Sequence, residues 1–199
     1  MPAIEIIDYQ PRWAGEFDQI ATVLRRAFGP LALAIDHIGS TAVPGLAAKD
    51  VIDLQVTVTA LEPPAPLGAA IDAAGYRLRP EIVEDHVPVG ADADPALWRK
   101  RYARELDGDR RTHIHLRVQG RPNQRYPLLF RDYLRAHPAA AGSYALIKRE
   151  LAARHADDVD AYYAVKDPVC DLIFDAAELW AAQCGWRPAP VAARLRTSP

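Results

Sequence analysis

Cysteine is scarce in this sequence: 199 residues contain two, Cys170 and Cys184. They fall in a stretch that reads as one helix, where about 1.5 Å of rise per residue would set them roughly 21 Å apart, too far for a disulfide. A disulfide scaffold is thereby excluded, and both are expected to be buried thiols of a cytoplasmic protein. A dominant charge sign is also missing. Charged residues make up 25% of the chain and the formal net charge is −2. That argues against bulk nucleic acid as a partner, while leaving room for a local basic pocket around a phosphate ligand. No apolar run approaches the roughly 18 residues of a membrane span, so no membrane partner is expected. Met1 to Glu5 lacks the basic start and apolar run of a signal peptide. Neither an internal repeat nor a linker divides the chain.

Hydrophobic residues, by contrast, make up half of it, enough for one full core. The expectation is a single domain over 1–186, with a sheet part over about 1–120 and a helical part over about 121–186. The stretch 187–199, rich in Pro, Ala and Arg, reads as a loose tail.

Asp8 to Gly29 carries Trp13, Phe17, Ile20, Leu24 and Phe28 at intervals of three to four, an amphipathic helix. Leu31 to Ile38 reads as a strand, and Gly39 to Lys49 as a connection with room for one helical turn. Val51 to Val58 alternates cleanly, with Ile52, Leu54, Val56 and Val58 opposite Asp53, Gln55 and Thr57. Leu67 to Ala74 reads as a short helix, and Tyr76 to Val89 as one or two strands. Pro95 to Leu106 has helical content or forms an exposed flap. Thr112 to Gln119 alternates again, with His113, His115 and Arg117 on one face. Three helices follow, at Tyr126–His137, Ala139–Ala156 and Val159–Cys184. Asp167-Pro168 is expected to kink or restart the last of these.

Gly39-Ser40 closes one strand and Asp53 stands on the next. A Gly-Ser turn lets backbone N–H groups approach a phosphate, and the serine hydroxyl adds a donor. A neighbouring carboxylate can hold a divalent metal against the same phosphates, the logic of metal-assisted phosphoryl or nucleotidyl transfer. Asp53 is therefore the candidate catalytic and metal residue. Gln55, on the same face, offers a neutral oxygen that binds a hard cation weakly. His113 and His115 are spaced to ligate a metal beside Asp53, closer to zinc or manganese than to magnesium chemistry. Equally, they can be hydrogen-bonded to buried polar neighbours. Lys49 and Arg111 precede the two strands and are placed to bind phosphate oxygens. Lys148, Tyr162 and Lys166 sit on the last two long helices, with Tyr162 and Lys166 sharing a face.

The segment His37-Ile38-Gly39-Ser40-Thr41-Ala42-Val43-Pro44-Gly45-Leu46-Ala47-Ala48-Lys49 resembles the signature of the GrpB family. The likeness continues at His113-Ile114-His115-Leu116, at Phe130-Arg131-Asp132-Tyr133-Leu134-Arg135, at Tyr144 with Lys148, and at Tyr162 with Lys166. It covers roughly Ile4 to Leu179. The resemblance implies a nucleotidyltransferase-like α/β fold, with a mixed, mostly antiparallel sheet and a C-terminal helical lobe. In catalytic nucleotidyltransferases a second acid follows the first at the position of Gln55, and a later strand supplies a third. Here that strand carries the histidines.

Three functions follow as expectations. The first is a nucleotidyltransferase that binds a nucleotide with a divalent metal (Mg, Mn or Zn) and serves an unknown acceptor. The second is a nucleotide-binding module without catalysis that supports a partner protein, as the resemblance implies for the related domain fused to dephospho-CoA kinase. The third is a metal-dependent hydrolase built on His113 and His115.

Overall fold

A computed structural model describes residues 3–190. Helix α1, Arg12–Phe28, buries the stripe Trp13, Ile20, Leu24 and Phe28, each large side chain contributing about 1.5–3 kcal/mol by leaving water. A single 3₁₀ turn, Gly29–Leu31, leads into strand β1, Ala34–Ile38. The predicted helical turn in the following connection is Ser40–Ala42. Strand β2 spans Ile52–Val58, helix α2 Pro64–Ala73 and strand β3 Tyr76–Leu78. Then come α3, Pro95–Trp98, β4, Arg101–Glu105, and β5, Thr112–Val118. The helical lobe comprises α4, Pro122–Ala136, α5, Pro138–Arg154, and α6, Val159–Cys184.

The five strands form one sheet in the order β1-β2-β5-β4-β3. Only β2 and β5 run parallel; the other three pairings are antiparallel. Ile52, Leu54, Val56 and Val58 of β2 join Ile114 and Leu116 of β5 in a core covered by α1 and α2. The opposite face is polar, and there Asp53 stands beside His113 and Gln55 beside His115 in register. Helix α4 lies against β1 and β5, with α5 and α6 packed on it and on each other. The fold class is thus the expected mixed, mostly antiparallel sheet with a C-terminal helical part. Among the described residues no helix is long and apolar enough to cross a membrane.

Two local expectations are narrowed and two are corrected. Pro95 to Leu106 has the expected helical content in Pro95–Trp98, but Arg101–Glu105 is a strand of the sheet and not a flap, because Tyr102 and Arg104 pair with His115 and His113, a partner that local sequence cannot reveal. The segment from Tyr76 to Val89 supplies one strand, the three residues of β3, together with an isolated bridge between Glu84 and Arg99. Pro168 lies inside an unbroken α6, whose start is set by Asp158 accepting from the Ala161 amide at 2.9 Å. One proline removes a single intrahelical bond, which the packing on α4 and α5 tolerates. Cys184 is exposed although Cys170 is buried, and both are free thiols. Of the expected tail, 187–190 forms no regular element and 191–199 lie outside the described residues.

Candidate functional site

The connection between β1 and β2 is fixed from behind by α4. Arg131 donates to the His37 carbonyl at 2.9 Å, and Arg135 donates twice to the Ala42 carbonyl, at 2.7 and 3.0 Å. His37 donates from Nε2 to Thr41 Oγ1 at 3.0 Å, since that hydroxyl itself donates to the Val51 carbonyl at 3.2 Å. Burial brings His37 down to about 4, so it stays neutral at physiological pH. Its ring stacks on Phe17 at 4.7 Å. The turn therefore presents Gly39 and Ser40 in a set geometry.

Gly39 adopts φ 70°, and a Cβ there would lie 2.5 Å from Asp53 Oδ2. Only glycine allows the carboxylate to approach the turn so closely. Asp53 accepts from His113 Nδ1 at 3.0 Å, with both side chains about one quarter exposed. Tyr102 sets its ring edge against His113 and His115, at 5.5 and 5.0 Å.

Lys148 touches the same turn, and the charges of Lys49 and Lys166 act on this lysine. Lys148 of α5, only 2% exposed, donates to Ser40 Oγ at 2.9 Å and to the Ala47 carbonyl. Its ammonium also sits 4.5 Å from the Tyr144 ring centre. Lys49 donates to the Tyr163 hydroxyl at 3.0 Å and lies over the rings of Tyr162 and Tyr163, 4.6 Å from each. Lys166 lies 5.3 Å from the Tyr163 ring and pairs with Asp167 at 3.2 Å. Among the described residues neither Lys148 nor Lys49 has a carboxylate partner. Burial first, then the like charges of Lys166, Lys49 and Arg149, bring Lys148 down to about 7, with Cys170 acting in the opposite sense. Tyr162 is fully buried, and among the described residues its hydroxyl has no hydrogen-bond partner.

Not every predicted residue joins this cluster. Gln55 is fully buried, donating to the Gln124 carbonyl at 2.9 Å and accepting from Arg117 at 2.9 Å. Both ends of its amide are taken, so it is a structural member of the sheet–helix junction. His115 receives Arg117 at 3.1 Å and Lys100 at 3.5 Å on Nδ1. That nitrogen must accept, so the ring is neutral, and burial with Arg117 and Lys100 pushes its pKa well down. Asp85, held far below the usual carboxylate range by Arg117 and Lys100 against the effect of burial, closes the network. It pairs with Lys100 and Arg117 at 2.7 Å each and accepts from Asn123 at 3.1 Å. The predicted three-ligand metal site on Asp53, His113 and His115 is therefore not gathered. Among the described residues no group of three or more His, Cys, Asp or Glu could hold a metal. Arg111 is exposed at the strand entrance, and Arg110 pairs instead with Glu16 and Asp50 at 2.8 and 2.6 Å.

Sequence reading missed Tyr163, whose ring lies beside two of the lysines. The Tyr162-Tyr163 doublet was its signal, because one of two adjacent helical residues must turn away from the core. It also missed Lys100 and Asp85, which lie outside every recognisable pattern, and Asp36, buried opposite Gln55 in register.

The GrpB protein family model matches residues 3–176. A dephospho-CoA kinase of Mycolicibacterium paratuberculosis is 39% identical over 93% of this chain, which covers 48% of that protein. UPF0157 protein BH1888 of Halalkalibacterium halodurans is 32% identical over 88% of this chain and 83% of its own length. The chain spans about half the length of the first curated relatives it matches. The crystal structure of conserved protein GrpB from Enterococcus faecalis superposes with a TM-score of 0.73 at 32% identity, covering 88% of this chain and 99% of that one. These likenesses establish that the chain belongs to the GrpB family.

Proposed function

We propose that this chain binds a nucleotide through its phosphates, between the Gly39-Ser40 turn and the helical lobe. The observation that carries this reading is the Lys148 ammonium, buried against Ser40 with Lys49 and Lys166 nearby and no carboxylate on it. An uncompensated buried cation is costly unless an anion joins it. A phosphate chain supplies that anion and uses the Ser40 hydroxyl and turn amides as further donors.

Asp53, in close contact with Gly39, favours a second reading, nucleotidyl transfer with a divalent cation that arrives with the phosphates. The fixed donors supply one carboxylate, already bonded to His113, so a resident zinc site does not fit them. Binding without turnover, in support of a partner or a joined domain, is the better match. The relatives named dephospho-CoA kinase, about twice as long, agree with a supporting role.

Thermal-shift and calorimetric titrations with each nucleoside triphosphate, with and without Mg²⁺, Mn²⁺ or Zn²⁺, test the proposal. Stabilisation is expected in the wild type and its loss in Ser40→Ala and Lys148→Met. No stabilisation by any combination would refute nucleotide binding, and pyrophosphate release would favour transfer over binding alone.

A further inference from the structure

Building on the proposed phosphate site, we infer that its ligand is the metal-free form of a polyphosphate, neutralised by Lys49, Lys148 and Lys166 instead of by a divalent cation. Magnesium is usually held by one or two protein carboxylates together with substrate phosphates. The polar sheet face has Asp53 near the turn, but one of its oxygens already accepts from His113 at 3.0 Å. Where a second carboxylate would help, Gln55 is engaged at both ends by Gln124 and Arg117. His115 presents its Nδ1 to two cations and cannot offer that lone pair to a third.

The lobe side has the opposite character. Lys49 and Lys166 flank the ring of Tyr163, at 4.6 and 5.3 Å from its centre. Lys148 donates to Ser40 Oγ at 2.9 Å. Among the described residues the only carboxylate on the trio is Asp167, paired with Lys166. Point-charge ammonium groups neutralise phosphate oxygens without demanding octahedral geometry. Tyr163, 37% exposed, supplies an aromatic surface at the rim, on which a nucleoside base can stack.

The test is calorimetric titration of the full chain with ATP and with inorganic triphosphate, each in excess EDTA and in excess Mg²⁺. The expected result is a Kd in EDTA within about threefold of that in Mg²⁺, by the charge count above. Equal affinity for the two probes assigns recognition to the polyphosphate chain, and tighter ATP binding adds the nucleoside. A loss of tenfold or more in EDTA overturns the inference while leaving nucleotide binding intact. Absence of binding in both media defeats both. Asp53→Asn should raise EDTA affinity, because a nearby negative charge is removed; a tenfold loss would contradict the inference. Lys49→Gln, which keeps the Lys148 contacts, should weaken EDTA binding roughly tenfold. Wild-type affinity in that variant would also overturn the proposal, even if Lys148→Met failed to fold.

Discussion

Lys100 and Lys148 are both buried lysines, yet they keep opposite company. Lys100 pairs with Asp85 at 2.7 Å, and Asp85 also takes Arg117. Lys148 has a hydroxyl, a carbonyl and an aromatic ring, and its nearest charged neighbours include two other lysines. Burial lowers the pKa of both. In the first region the charges are compensated within the chain, and the network locks β2, β5 and α4 together. In the second they are not, which leaves a demand for an external anion. A buried ion pair and a buried lone ion have different uses, although a lysine is a lysine in sequence.

The sharpest way to break this contrast is to convert the paired site into an unpaired one. Asp85→Ala strands Lys100 and Arg117 in a buried setting. It is expected to lower stability by about 3–5 kcal/mol, measured as a fall in the denaturant midpoint. A shift below about 1 kcal/mol would mean that the network is not holding the fold.

Lys148→Met should instead leave a folded protein and remove most triphosphate binding, a loss of about 1.5–3 kcal/mol for a charged hydrogen-bonding group. Titration calorimetry separates that from a stability defect. A third variant probes the junction between the regions. Gln55→Glu places a carboxylate against the Gln124 carbonyl, so it should cost about 1–3 kcal/mol of stability. It should not create metal-dependent nucleotidyl transfer, and pyrophosphate release by this variant would show that the residue faces the ligand after all.

The pH dependence of Lys148 has a definite sign. Its pKa falls from 10.5 unfolded to about 7 folded, so the folded state binds fewer protons between those values. The contribution of this group to stability therefore rises with pH from about 7 to 10.5 and is lost as pH falls through 7. Anion affinity runs the other way, weakening above pH 7 as the ammonium deprotonates. Lys148→Met should flatten its part of both profiles, with denaturation and binding followed over the same range. The smallest effect is expected at Arg111, exposed and without a side-chain partner among the described residues. Arg111→Ala should change stability by no more than about 0.5 kcal/mol, read from the thermal midpoint.

The alternation of β2 made its two faces legible, because a strand with one buried face repeats every second residue. Gly39 was legible too, as the residue that admits a close approach, and Asp53 as the carboxylate it admits. Face is not the same as destination, however. Gln55 and Asp53 share a face, but α4 covers one and not the other, and that depends on where a helix more than sixty residues later comes to rest. The same applies to His115, whose pairing with Lys100 needs β4 beside β5. The Asp85 network carried no local signature, since its members come from four separate segments. Lys148 was readable as a candidate, whereas its lack of a counter-charge belongs to three-dimensional packing alone.

Site-resolved NMR titration of the Lys148 ammonium, with and without inorganic triphosphate, tests the unpaired-cation account most directly. Lys148 should titrate near 7 in the free protein and shift upward by at least about one unit, or about 1.4 kcal/mol of coupling, when triphosphate is bound. A lysine that titrates near its ordinary value in the free protein, or one that triphosphate leaves unmoved, would contradict it.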